Sequence, residues 1–201
     1  MKKIGLTGGI GCGKSTVAAL LNCYPDLLTF DCDRAAKEIM AQPEFRHILI
    51  KIIGPDAFDA EGRLDTKAIA QAVFRSDVTR RQLEQAVHPR VRSLMDLTAC
   101  RADHNGIRLF VVESAILFET GLDRFCDYTV CVVCGPNKQR RRLRENRGWT
   151  DEQIDARLAS QWPLADKMAR ADFIVGNDRS KEELARTVDQ LYRSPTWGLA
   201  D

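Results

Sequence analysis

Apolar positions follow two rhythms along this chain. Ile4–Thr7, Leu27–Phe30, Leu109–Val112, Thr129–Val133 and Phe173–Val175 are short runs, apolar on both faces. They alternate with stretches whose apolar residues recur every three or four positions. Strands buried on both faces read this way inside an α/β sandwich, so the pattern predicts a parallel five-stranded sheet between helical layers. Val17, Leu20 and Leu21 mark a helix over Ser15–Leu21. About seventy-five residues with helical signals only separate the second and third runs. There Ile69 pairs with Val73, and Leu83 with Val87, in a helix predicted to stop near His88 because Pro89 lacks the N–H to continue it. Val91, Leu94, Met95 and Thr98 form a further stripe. An all-helical insertion of this length predicts a substrate-holding subdomain rather than a crossover. Thr150-x-x-Gln153 and Ser180-x-x-Glu183 predict capping boxes, each ahead of a helix. The tail after Pro195 is expected to be loose.

Composition narrows the classes. The chain has 201 residues, 30 Lys+Arg and 28 Asp+Glu, for a net charge of +2. A hydrophobic share of 44% and a charged share of 29% is an ordinary globular mixture, which excludes disorder and low complexity. The charge is too even to indicate a nucleic-acid partner. No apolar run approaches the ~18 residues of a membrane span, and the first lacks the core of a secretory signal. Seven cysteines, an odd number, together with that missing signal predict a reducing cytoplasm. Cys131-x-x-Cys134 flanks Val132-Val133 and reads as buried, inert strand thiols, with no second pair at zinc spacing.

The chemistry sits after the first run. Gly8-Gly9-Ile10-Gly11-Cys12-Gly13-Lys14-Ser15 fits G-x-x-x-x-G-K-[ST], between a predicted strand and a predicted helix. Glycines let backbone N–H groups wrap a polyphosphate, and the helix that follows points its positive end at it. Lys14 is then the residue for the β- and γ-phosphates and Ser15 the residue for Mg²⁺. Asp31 and Asp33 follow the second run at the carboxyl end of the sheet, where α/β ligands bind. Two apart in extended chain, they would share a side, to take a proton from a hydroxyl or hold Mg²⁺ through water; as an alternative, Asp33 caps the next helix. Lys138, Arg140, Arg141, Arg142, Arg144 and Arg147 form a basic run. It reads as a solvated face, a nucleic-acid contact without interleaved aromatics, or a lid whose arginines clamp a phosphoryl group; the glycine loop favours the lid.

Taken together, these residues resemble the dephospho-coenzyme A kinase family over nearly the whole chain. The resemblance rests on Leu6-Thr7-Gly8-Gly9-Ile10-Gly11, on Asp31-Cys32-Asp33, and on His88-Pro89 with Arg90 and Arg92. It continues through Glu113–Glu119, Arg157-x-x-x-Gln161 with Pro163 and Lys167, and Ala171-Asp172 with Asn177. It implies a P-loop core (about 1–33, 106–135 and 168–201), a helical substrate subdomain (about 34–105) and a lid (about 136–167). The implied reaction moves the ATP γ-phosphate to the ribose 3′-hydroxyl of dephospho-coenzyme A, with Mg²⁺. The implied roles are Asp33 as base, Arg142 as lid arginine, and Gly11, Cys12, Gly13, Lys14, Ser15 and Thr16 on the phosphates. Asn177 would contact adenine, and Asp31, His88 and Arg92 would face the substrate.

The chain departs from the family text at four places. Cys12 stands for a small hydroxyl residue and adds an oxidisable thiol. Cys134 stands where an acid is common, Asn146 where a second lid arginine is expected, with Arg147 one place on, and Gly176 where an aspartate precedes the asparagine. The alternative activity is that of another P-loop small-metabolite or nucleotide kinase. A GTPase would need N-K-x-D, but Asn137-Lys138-Gln139 is followed by Arg140.

Overall fold

The computed structural model describes residues 1–197. All five predicted strands form: β1 (Lys2–Gly8), β2 (Leu27–Asp31), β3 (Leu109–Glu113), β4 (Tyr128–Val133) and β5 (Phe173–Gly176). Their order in the sheet is β2-β3-β1-β4-β5. β1 pairs in parallel with β3 and with β4, and β4 with β5. Leu6 lies level with Glu113 on one side and Val130 on the other. The loops that follow β1, β3 and β4 therefore leave along one edge of the sheet, the edge where α/β ligands bind.

Burial follows position in the sheet. β3 is buried throughout, β1 from Ile4 onward, and β4 from Thr129 to Val132. The expectation of two apolar faces fails at the edges, where a strand has only one neighbour: Leu28 in β2 and Ile174 in β5 are exposed.

The helices are α1 (Lys14–Leu21), α2 (Cys32–Met40), α3 (Arg46–Ile52), α4 (Thr66–Arg75), α5 (Asp77–His104), α6 (Pro136–Arg147), α7 (Asp151–Ala159), α8 (Leu164–Arg170) and α9 (Lys181–Tyr192). Both predicted capping boxes are present, Thr150 with Gln153 on α7 and Ser180 with Glu183 on α9. Beside the core, Tyr24 stacks on Tyr192 at 3.6 Å, and the two hydroxyls donate to Asp189 and Asp26.

The chain divides into two units, residues 31–100 and the remainder. The first holds α2 to α4 and most of α5, with Phe45, Leu49, Ala57, Ile69, Val87, Val91 and Met95 buried. Arg46 lies 4.0 Å from the Phe58 ring centre and donates to the Gly62 carbonyl at 3.0 Å. Here α5 corrects the predicted stop at His88, because it runs through Pro89 to His104. Proline removes the helical donor to the Gln85 carbonyl, and the helix runs on without it; one residue further on, the Arg90 guanidinium donates to the Ala86 carbonyl at 2.7 Å.

The second unit corrects the expected loose tail. Pro195–Trp197 form a 3-10 turn, and Trp197 is fully buried, edge-on to Phe173 at 6.3 Å. The last four positions of that tail lie outside the described residues.

Candidate functional site

The glycine loop joins β1 to α1 as predicted. Gly13 N-caps α1 at φ 95°, a left-handed conformation, and a Cβ there would collide with the Asn177 amide. Gly11, at φ 78°, is packed against Leu143. The cap supplies no side-chain acceptor, and the first turn of α1 carries no acid. The positive end of the helix is thus left for an anion. Lys14 folds back across the loop, its Nζ donating to the carbonyls of Gly8 at 3.0 Å and Gly9 at 3.3 Å.

Residues far along the chain hold the loop in shape. The Ile10 carbonyl accepts from Gln139 Nε2 at 2.7 Å, and the Ile10 N–H donates to Gln161 Oε1 at 3.3 Å. The Cys12 carbonyl accepts from Asn177 Nδ2 at 2.8 Å and from Arg142 at 3.3 Å. Arg142 also donates to the Asn177 backbone and side-chain oxygens, both at 3.2 Å. Gln139 and Asn177 are buried. Arg142 and Asn177, expected at the phosphoryl group and at adenine, are thus both engaged with the loop backbone.

A buried ion pair supports this bracing. Lys167 is fully buried; its Nζ lies 2.7 Å from Glu119 Oε1 and 2.5 Å from the Ala115 carbonyl. Glu119 Oε1 also accepts from the Trp162 N–H at 2.9 Å, one residue beyond Gln161. Removing one partner strands a buried charge, so Lys167→Met is expected to lose about 3–5 kcal/mol of stability. Urea unfolding of the variant beside the parent measures that loss.

Ser15 Oγ donates to Glu113 Oε1 at 3.0 Å. Glu113 ends β3 and is buried, so a hydroxyl and a carboxylate meet at the loop. These are hard oxygen donors. They fit Mg²⁺, which takes one or two protein oxygens and fills its remaining positions with phosphate and water. Among the described residues there is no cluster of three or more His, Cys, Asp or Glu to hold a metal alone. Glu113, Gln139 and Gln161 were missed as site residues. The signals in the sequence were that Glu113 ends a strand on the same sheet edge as the loop, and that Glu113 and Gln161 stand in stretches that resemble the family.

In the unit of residues 31–100, Asp31 caps α2, its Oδ1 accepting from the Arg34 N–H at 3.0 Å. That bond starts the helix at Cys32, so Asp33 lies in its first turn, exposed to solvent. The expected extended Asp31–Asp33 geometry does not form, and the capping role weighed for Asp33 belongs to Asp31. His88 and Arg92 lie one turn apart on α5. Burial lowers the pKa of half-buried His88 below the ordinary imidazole value, against a smaller opposing effect of Glu84. Arg92 is exposed, 3.9 Å from Asp96.

The basic run lies on α6, and three of its six residues are matched by acids. Arg144 lies 2.6 Å from Asp151, Arg140 pairs with Asp155 and Asp151, and Arg141 is 3.9 Å from Glu145. α6 and α7 are laced together by these pairs.

A family model described as dephospho-CoA kinase matches residues 2–183. The chain belongs to the dephospho-CoA kinase family. A relative named dephospho-CoA kinase, from Geobacillus kaustophilus, is 37% identical over 185 residues, 91% of each chain. The crystal structure of TT1252 from Thermus thermophilus superposes with a TM-score of 0.81 at 33% identity, covering 95% of this chain and 96% of that one. The structure of a dephospho-CoA kinase from Campylobacter jejuni gives 0.70 at 23% identity, covering 98% and 99%, and shares the fold. The dephospho-CoA kinase match contains every element of the glycine loop and its braces. Among the described residues no helix is long and apolar enough to cross a membrane.

Proposed function

We propose that this chain transfers the γ-phosphate of ATP to the ribose 3′-hydroxyl of dephospho-coenzyme A, giving coenzyme A and ADP. The observation that carries this reading is the family match across residues 2–183, laid over an intact glycine loop. The seven cysteines, all unbridged, suit a reducing cytoplasm.

The backbone of Gly11 to Thr16 wraps the phosphates, and Lys14 exchanges its two loop carbonyls for β- and γ-phosphate oxygens. Ser15, with Glu113 beside it, holds Mg²⁺, which when bound neutralises phosphate charge. Asp33 takes the proton of the 3′-hydroxyl from the exposed first turn of α2. Asp31 orients that helix end, while His88 and Arg92 serve the substrate on α5. Gln139, Arg142, Gln161 and Asn177 keep the loop from sagging, so its donors are aimed before ATP arrives. Little covalent work falls to the protein; positioning and charge carry the rate.

Incubation with MgATP and a panel of acceptors tests this: dephospho-coenzyme A, shikimate, adenosine 5′-phosphosulfate and free nucleosides. The expected result is fast ATP-dependent conversion of dephospho-coenzyme A alone, with the phosphate on the 3′-oxygen by phosphorus NMR. Faster phosphorylation of another acceptor overturns it.

A further inference from the structure

Two of the positions where this chain leaves the family text meet in space. Cys12 is fully buried in the middle of the glycine loop, and Cys134 is buried just past β4. Backbone bonds bring them together. The Cys12 carbonyl is held by the Asn177 side chain at 2.8 Å, and the Asn177 N–H donates to the carbonyl of Val133, next to Cys134, at 2.8 Å. Hydrogen bonding from the Cys134 thiol is the largest influence on the Cys12 thiol, and the Cys134 backbone N–H adds to it in the same direction. Those bonds, with the Lys14 ammonium nearby, hold the Cys12 thiol at about 7 despite its burial, and Cys134 moves up in response. Thiolate character makes a cysteine nucleophilic. Two other thiols go the opposite way: burial pushes Cys126 up to about 12 and Cys131 up to about 11. The inert reading of Cys131-x-x-Cys134 therefore fits Cys131, whereas Cys134 faces a different partner.

We propose that Cys12 and Cys134 are a site of reversible oxidation, in which a hydroperoxide converts the pair to a disulfide that closes the loop to ATP. The Cys12 thiolate attacks one peroxide oxygen, the O–O bond breaks, and a sulfenic acid forms as hydroxide leaves. The Cys134 sulfur then attacks the Cys12 sulfur, the S–O bond breaks, and water leaves with the Cys134 proton. With hydrogen peroxide, two thiols lose two protons and two electrons, and the oxidant becomes two waters. Local opening of the loop admits a molecule this small. The bond draws the sulfurs to about 2.05 Å, closer than any non-bonded contact, and pulls Cys12 out of the curve that aims the loop donors. The loss of ATP affinity rests on the kinase reading of the loop; the bridge itself does not.

The experiment treats the full chain with hydrogen peroxide, maps disulfide-linked peptides by mass spectrometry, and measures ATP turnover before and after dithiothreitol. Exposed Cys23 and Cys100 are replaced by serine to prevent links between molecules. The expected result is a Cys12–Cys134 peptide, a KM for ATP raised about tenfold or more, full reversal by the dithiol, and slower bridging when MgATP is present. Cys134→Ala, with basal turnover near the parent's, should show no bridge and no dithiol-reversible loss. Absence of the Cys12–Cys134 peptide, or a bridged protein that keeps its ATP affinity, overturns the proposal. If the reduced protein shows no heat with MgATP in calorimetry, the kinase reading fails, while the peptide map still decides whether the bridge forms.

Discussion

Lys14→Ala is expected to lower kcat for dephospho-coenzyme A phosphorylation by about 10²–10³-fold, the scale for losing one preorganised charge from a transferring group. The side chain bonds to two carbonyls of its own loop, Gly8 and Gly9. Unfolding by urea should therefore stay within about 1 kcal/mol of the parent. Coupled measurement of ADP release gives the rate. A variant that folds normally and turns over at the parental rate would remove Lys14 from the phosphates.

Asp33→Asn is expected to lower kcat by about 10²–10⁴-fold, the range for a positioned general base, with the KM for ATP little changed. The structure makes this a clean substitution. The helix cap that an asparagine would preserve or disturb is formed by Asp31, two residues earlier, so Asp33→Asn leaves α2 capped. Asp31→Asn is the companion measurement: a cap tolerates asparagine, so its stability should move by only a few tenths of a kcal/mol. If Asp31→Asn, and not Asp33→Asn, abolishes turnover, the base is Asp31 and the cap residue also does the chemistry.

What could be read in the chain divides along physical lines. β1, β3 and β4 were legible because strands buried on both faces leave unbroken apolar runs, and the capping boxes because cap and N3 residue lie three apart. The glycine loop was legible because it is one contiguous stretch. The contacts of its braces were not: Asn177 and Gln161 stood out as family text, but that they and Gln139 reach Ile10 and Cys12 across most of the chain is encoded by no local pattern. Glu113 shows as the polar end of an apolar run. Pro89 misled because the rule treats proline as a stop, whereas α5 spans 28 residues and forgoes the one donor to Gln85. Asp31 and Asp33 misled because alternation assumes extended chain, and the Asp31 carboxylate ends the extended segment itself.

Trp197 gives the carboxyl end of the protein an unexpected reach. Its indole wedges against Phe173 at the start of β5, and the residue after that strand, Asn177, grips the Cys12 carbonyl. Proteolytic trimming that removes Trp197 would spare the outer helices' sequence yet empty a slot beneath the edge strand. The damage would then surface at the opposite tip of that strand as a slack nucleotide grip. A tag appended past residue 201 leaves the wedge in place, and a truncation that takes Trp197 does not.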